Sequence, residues 1–176
     1  MEDKKLDSIM TTYQSMPWAE RIEYIINSRR KLPQNEGRLN SMFEGKFISA
    51  NDEKKVFIVE YKIERWMENP RGELHGGALA TLFDTVAGMG SISVAESPNI
   101  ATLDLYINYL ARAEGTDTVV MNARIVKAGR RFIRQTIDAF SKDKGHLIAT
   151  CTANFAVLAP ETAKPMNFEL KEKDEK

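Results

Sequence analysis

The chain has a single cysteine, Cys151, in 176 residues, so an intramolecular disulfide is excluded and a cysteine-based structural zinc site is not expected. It has no excess charge of either sign. Its 25 Lys and Arg balance 25 Asp and Glu, so no overall field draws it to nucleic acid or to an anionic membrane, and any bound anion must meet a local patch. The first residues, MEDKKLDSIM, lack the basic-then-apolar order of a signal peptide. No window approaches the roughly 18 apolar residues of a membrane span, and a cytoplasmic protein is expected. The two histidines, His75 and His146, stand too far apart in the chain to suggest a metal site. What is present is 43% hydrophobic residues, enough for one sizeable core in one domain.

Apolar residues recur at helical spacing from Asp7 to Arg30, among them Ile9, Met16, Ile22, Ile25 and Ile26, and Pro17 splits the stretch in two. With the polar, turn-rich Pro33 to Arg38, this makes residues 1–38 an extension and linker. Its expected place is the outside of the sheet or another subunit, or else a lid over a ligand tunnel. Strands are predicted at Met42 to Ala50 and Lys55 to Ile63, joined by Asn51-Asp52-Glu53. More follow Ile100, with alternation in Leu103, Leu105, Ile107 and Tyr109 and again in Val119, Met121, Ala123 and Ile125, then at Phe132 to Phe140 and Leu147 to Leu158. The sum is a meandering antiparallel sheet in a domain spanning 39–160, followed by a charged tail at 161–176.

Gly76 to Ala95 separates the two groups of strands. Leu79, Leu82, Phe83, Val86 and Met89 alternate there with small residues rather than with charges, which describes a buried helix roughly 30 Å long at 1.5 Å per residue. Ala87, Gly88 and Gly90 would let a strand backbone approach. The natural assembly is α+β, a curved antiparallel sheet wrapped around this long helix. Asp84 is its one ionisable side chain, and burying an unpaired carboxylate costs several kcal/mol. Upstream, Gly76 and Gly77 open the helix with free N–H groups at the positive end of its dipole, where developing negative charge on a carbonyl oxygen is stabilised. Asp84 lies roughly 11 to 12 Å further along the axis, too far to share a reacting carbon with that end. A complete site therefore implies two antiparallel helices from two subunits.

At these residues the sequence resembles the phenylacetyl-CoA-type thioesterases of the hotdog superfamily. Their hallmark is His-Gly-Gly, six residues, then Asp, here His75-Gly76-Gly77 followed by Asp84. The likeness extends to Asn69, to the strand Ala101 to Leu110, to Gly129-Arg130-Arg131 and to Gly145 to Ala149, and covers about Met42 to Leu158. It implies a hotdog fold and hydrolysis of an acyl-CoA to free acid and CoA. Asp84 would be general base or nucleophile, Gly76 N–H the oxyanion donor and Asn69 a water orienter. His75 would position the thioester carbonyl, with the Thr102 hydroxyl near the carboxylate. Gly77 would line the substrate site, and Lys127, Gly129, Arg130 and Arg131 form a basic turn for the CoA phosphates. Thioester hydrolysis needs no cofactor, CoA being part of the substrate. The implied assembly is a homodimer with shared sites, doubled into a tetramer. The N-terminal extension and the Asn69-Pro70-Arg71-Gly72 approach depart from the family pattern, so acyl specificity does not carry over. The competing readings are a hotdog hydratase, which would want a catalytic His paired with a carboxylate, and a non-catalytic acyl-CoA sensor, which leaves Asp84 unexplained.

Overall fold

The computed structural model describes residues 15–29, 36–95 and 99–158. Residues 7–14 of the expected first helix, 33–35 of the polar turn and 161–176 of the charged tail lie outside them. In chain order the elements are α1 (Trp18–Arg29), a single helical turn α2 (Leu39–Met42), β1 (Gly45–Asn51), β2 (Val56–Lys62), a 3-10 turn (Arg65–Met67), α3 (Gly76–Val94), β3 (Ile100–Tyr109), β4 (Thr118–Ala128), β5 (Phe132–Ser141) and β6 (Leu147–Val157). The first strand starts three residues later than expected, because residues 39–42 turn helically and only at Gly45 can the chain run beneath the Tyr61 ring. A Cβ at Gly45 would stand 2.9 Å from the Tyr61 hydroxyl.

All strands are antiparallel, in the order β1-β2-β4-β5-β6-β3. This is not the simple meander expected: β3 follows α3 in the chain yet lies at the far edge, beyond β6. The helix touches β3, β4, β5 and β6. Four strands about 4.8 Å apart are wider than a helix of about 10 Å, so contact with all of them requires the sheet to curve around it. Leu82, Phe83, Val86 and Met89 fill that curve against Phe57, Met121, Ile137 and Phe155. The alternation of Val119, Met121, Ala123 and Ile125 faces this core as predicted.

By length and composition α3 is apolar enough to cross a membrane, which corrects the expectation that no window comes near a span. Here it is the helix enclosed by the sheet. Gly90 is the point of closest approach, but to side chains rather than to strand backbone. A Cβ there would collide with the Gln135 amide and stand 3.1 Å from the Phe57 ring. Gln135 Nε2 donates to Ala87 O (2.6 Å) and Ser91 Oγ (2.8 Å), clasping β5 to the helix.

Helix α1 packs on β1 and α3, not on the outside of the sheet. Trp18, Ile22, Ile25 and Ile26 recur on one helical face and enter the main core. Trp18 is buried and donates through Nε1 to Ser93 Oγ (2.9 Å), while Arg21 Nη1 donates to Ser93 O (3.1 Å) at the negative end of α3. Asp52 in the β1–β2 turn accepts from Ala19 N–H (3.3 Å), tying the start of α1 to the sheet.

Buried Asp117 anchors the loops at the opposite end. Its carboxylate accepts from Thr118 N (2.6 Å), Asp143 N (3.2 Å) and, in a short hydrogen bond, Ser141 Oγ. Burial pushes the carboxyl up, but the Ser141, Asp143 and Thr118 hydrogen bonds together with nearby His146 outweigh it and hold it below its ordinary value. A carboxyl lowered on folding stabilises the protein above its unfolded pKa, and that contribution is lost as pH falls through the folded value. Asp117→Asn is expected to cost about 1–3 kcal/mol at pH 7, with the difference from the parent shrinking in acid. Urea unfolding of both proteins across pH 3 to 7 checks this.

Candidate active site

The run-in to α3 is fastened from three sides. Asn69-Pro70-Arg71-Gly72 has the residues a type I turn favours, with Gly72 N donating to Asn69 O (2.9 Å) and Gly72 at φ +74°. Gly115 N donates to Gly72 O (2.9 Å), Leu74 N to Ala113 O (2.9 Å) and His75 N to Met67 O (2.8 Å). The Asn69 side-chain oxygen accepts from Arg71 N (2.8 Å) and Glu73 N (3.3 Å) within this turn, and its amide reaches Glu73 Oε2 at 3.4 Å.

His75 is the residue that starts the helix. Extended at φ −67°, ψ 131°, it turns its ring back so that Nδ1 accepts from Gly77 N–H (2.9 Å). That cap uses the Gly77 N–H and leaves the Gly76 N–H with no acceptor among the described residues. It also sets the tautomer: a neutral imidazole whose Nδ1 accepts carries its proton on Nε2. The helix therefore opens with a free backbone donor beside an exposed imidazole N–H donor.

Asp84 lies two turns on, half-buried, with Oδ1 accepting from Thr102 Oγ1 (2.8 Å). Thr102 and the carboxylate are thus together, as the sequence suggested. A β-bulge between Thr102 and Asp104 makes this possible. The extra residue shifts the alternation by one, so Thr102 before it and Leu105, Ile107 and Tyr109 after it all face α3. Leu103, predicted to share the face of Leu105 and Ile107, is the bulged residue and is 59% exposed. At the other end of the strand Tyr109 Oη donates to Gly76 O (2.8 Å), with its ring 3.4 Å from where a Gly76 Cβ would be. Periodicity marked Tyr109 only as one more inward strand residue.

Lys127, Gly129, Arg130 and Arg131 form the β4–β5 tip, closed by Gly129 N donating to Phe132 O (3.0 Å); Lys127 Nζ stands 5.4 Å from the centre of the Phe132 ring. In register Ile133 pairs with Phe155 and Phe155 with Thr102. The tip is therefore at the same end of the sheet as Asp84, two strands or roughly 10 Å from Thr102. Cys151 is buried, and burial, with Asp104 and Asp84 nearby, pushes its thiol up to about 12. His146 donates through Nε2 to Arg112 O (3.1 Å). Trp66 is half exposed and packs against Phe43 at 5.1 Å between ring centres.

Residues 71–148, which hold the His75-Gly76-Gly77 start, Asp84 and the basic turn, match the thioesterase superfamily. Acyl-coenzyme A thioesterase 13 of Mus musculus is 33% identical over 102 residues, 58% of this chain and 71% of that protein. The chain belongs to the thioesterase superfamily. Its fold agrees with solved members: zebra fish thioesterase superfamily member 2 superposes with a TM-score of 0.67 at 24% identity, covering 80% of this chain and 98% of that one. A hypothetical thioesterase from Streptococcus pneumoniae, solved with coenzyme A, gives 0.60 at 26% identity, covering 68% and 90%. The α+β hotdog architecture expected from the sequence is thereby found, and with it membership of a family of thioester hydrolases.

Proposed function

We propose that this protein hydrolyses an acyl-CoA to the free acid and coenzyme A, with Asp84 as general base or nucleophile and Gly76 N–H as oxyanion donor. The observation that carries the reading is a carboxylate held by Thr102 on the edge strand of a thioesterase-superfamily fold whose helix opens with an unused backbone donor. The acyl-CoA thioesterase relatives and the coenzyme A-bound neighbour support the substrate class.

Within one copy the donor and the carboxylate are eight residues apart, roughly 12 Å along the axis. Strand β3 suggests how they meet. It is a ten-residue edge strand with Leu103 and Tyr106 exposed (59% and 68%), an edge that favours pairing with another strand. A two-fold antiparallel pairing centred near Leu105 and Tyr106 would set Thr102 of one copy across from Tyr109 of the other. Because Thr102 holds Asp84 and Tyr109 holds Gly76, each carboxylate would then face the partner's helix start. A homodimer with two shared sites follows, and a dimer of dimers acting in the cytoplasm is the assembly proposed.

In the general-base route Asp84 takes a proton from a water oriented by the Asn69 amide, and the water oxygen attacks the thioester carbon. In the nucleophilic route an Asp84 oxygen attacks and expels the thiolate, and water then cleaves the mixed anhydride. In both, Gly76 N–H with the His75 Nε2–H beside it meets the oxyanion, and the departing CoA thiolate takes up a proton. No metal or cofactor enters either route.

The proposal is tested by incubating the protein with aromatic, short- and long-chain acyl-CoAs and a thiol-reactive dye. Thiol release is expected with at least one of them, whereas binding without release would support a sensor instead. The basic turn is the proposed seat of the CoA phosphates, with Gly77 along the substrate path. Changing Arg130 and Arg131 together to Ala is expected to raise KM more than it lowers kcat. An unchanged KM would make the turn an ordinary solvated hairpin tip.

A further inference from the structure

Tyr109 stands 54% exposed on the edge strand, yet its hydroxyl points inward to a backbone carbonyl at 2.8 Å. The peptide it meets is the one joining Gly76 to Gly77. On the other side of that same peptide, Gly77 N–H donates to His75 Nδ1 at 2.9 Å. The two hydrogen bonds are therefore in series: Tyr109 O–H to Gly76 C=O, then Gly77 N–H to His75 Nδ1. A donor on the carbonyl draws electron density from the amide, so the N–H becomes a stronger donor in turn. A phenol keeps its proton at neutral pH, and burial, with Cys151 adding, pushes that of Tyr109 further up.

We infer that Tyr109 is a positioning residue of this site, holding the Gly76–Gly77 peptide so that its N–H fixes His75 with Nε2–H turned outward toward the substrate carbonyl. Tyr109 and Thr102 can both face the helix only because of the bulge at Leu103. Without that extra residue, Thr102 and Tyr109, seven apart, would lie on opposite faces of β3. One irregularity in one strand thus serves both halves of the site, the carboxylate through Thr102 and the donor end through Tyr109. The inference rests on the thioesterase reading for its catalytic consequence, but the relay itself can be read without substrate.

With only two histidines in the chain, nitrogen-15 imidazole spectra are simple, and His75→Gln assigns them. The parent should show His75 as the Nε2–H tautomer. A His75 that carries its proton on Nδ1 overturns the relay, whatever the activity. In Tyr109→Phe the ring and its packing remain, so the melting temperature is expected to be unchanged. The Nε2–H preference should weaken, and kcat should fall roughly tenfold with KM nearly constant. Placed in the His75→Gln background, the same change should have little further effect on kcat, since both act through one imidazole. Full additivity of the two losses, or a Tyr109→Phe protein with parental kcat and spectrum, would contradict the inference. Were Asp84→Asn to keep full activity, the thioesterase reading would fall while the spectrum still decided the relay.

Discussion

Asp84→Asn is expected to lower turnover at least ~100-fold on every acyl-CoA the parent hydrolyses, with the fold intact. The substitution keeps the size and planarity of the side chain, and its remaining carbonyl oxygen can still accept from Thr102 Oγ1. What it removes is the second carboxylate oxygen and the charge, hence both the base and the nucleophile. Because the lost interaction matters at the reacting carbon rather than in holding CoA, kcat and kcat/KM should fall together. Thiol release and a thermal melt on the same preparation check this. Parental turnover from a folded Asp84→Asn protein would remove Asp84 from the mechanism.

Gly76→Pro should have an effect of similar size for a different reason. Gly76 is the first residue of α3, the helical position at which proline is best tolerated, since its N–H has no intrahelical partner there. The preceding His75 already has the extended backbone, ψ 131°, that a residue before proline adopts. The carbonyl that Tyr109 grips is retained, and a Cβ would make only ordinary contact with the Tyr109 ring. Proline therefore deletes the N–H and sets its ring Cδ where that hydrogen pointed, while leaving the rest of the helix start in place. Loss of one oxyanion donor lowers kcat by about 10²–10³-fold in comparable sites, and that is the expected outcome. A Gly76→Pro protein with parental kcat would show that the oxyanion is held elsewhere.

Much of this site can be read from residue types and spacing. His75-Gly76-Gly77 announces a helix start, and Asp84 is conspicuous as a lone charge in an apolar run. The Val119 to Ile125 alternation finds its face without help because that part of β4 is regular. The bulge at Leu103 is different: an extra residue has no compositional mark, and leucine there reads as part of the apolar alternation it interrupts. Strand partners are equally silent, since a sequence shows β3 as a strand but not that it lies beyond β6 at the edge. Helix α1 displays its apolar stripe plainly in Ile22, Ile25 and Ile26, while the burial of Trp18 and its berth against Ser93 depend on contacts formed only in three dimensions. Gln135 did leave a signal, as a polar residue between Ile133 and Ile137 on a buried face, and Ala87 O and Ser91 Oγ give its amide nitrogen two acceptors.

The central claim is that each reaction is shared by two copies of the chain, and mixing two inactive variants tests it most directly. Asp84→Asn and Gly76→Pro proteins, each inactive alone, are unfolded together and refolded so that subunits pair at random. A mixed dimer then has one site lacking both groups and one site with both, so about a quarter of parental activity should return. No recovery from well-folded mixed dimers would mean that carboxylate and donor act within a single copy, contradicting the account.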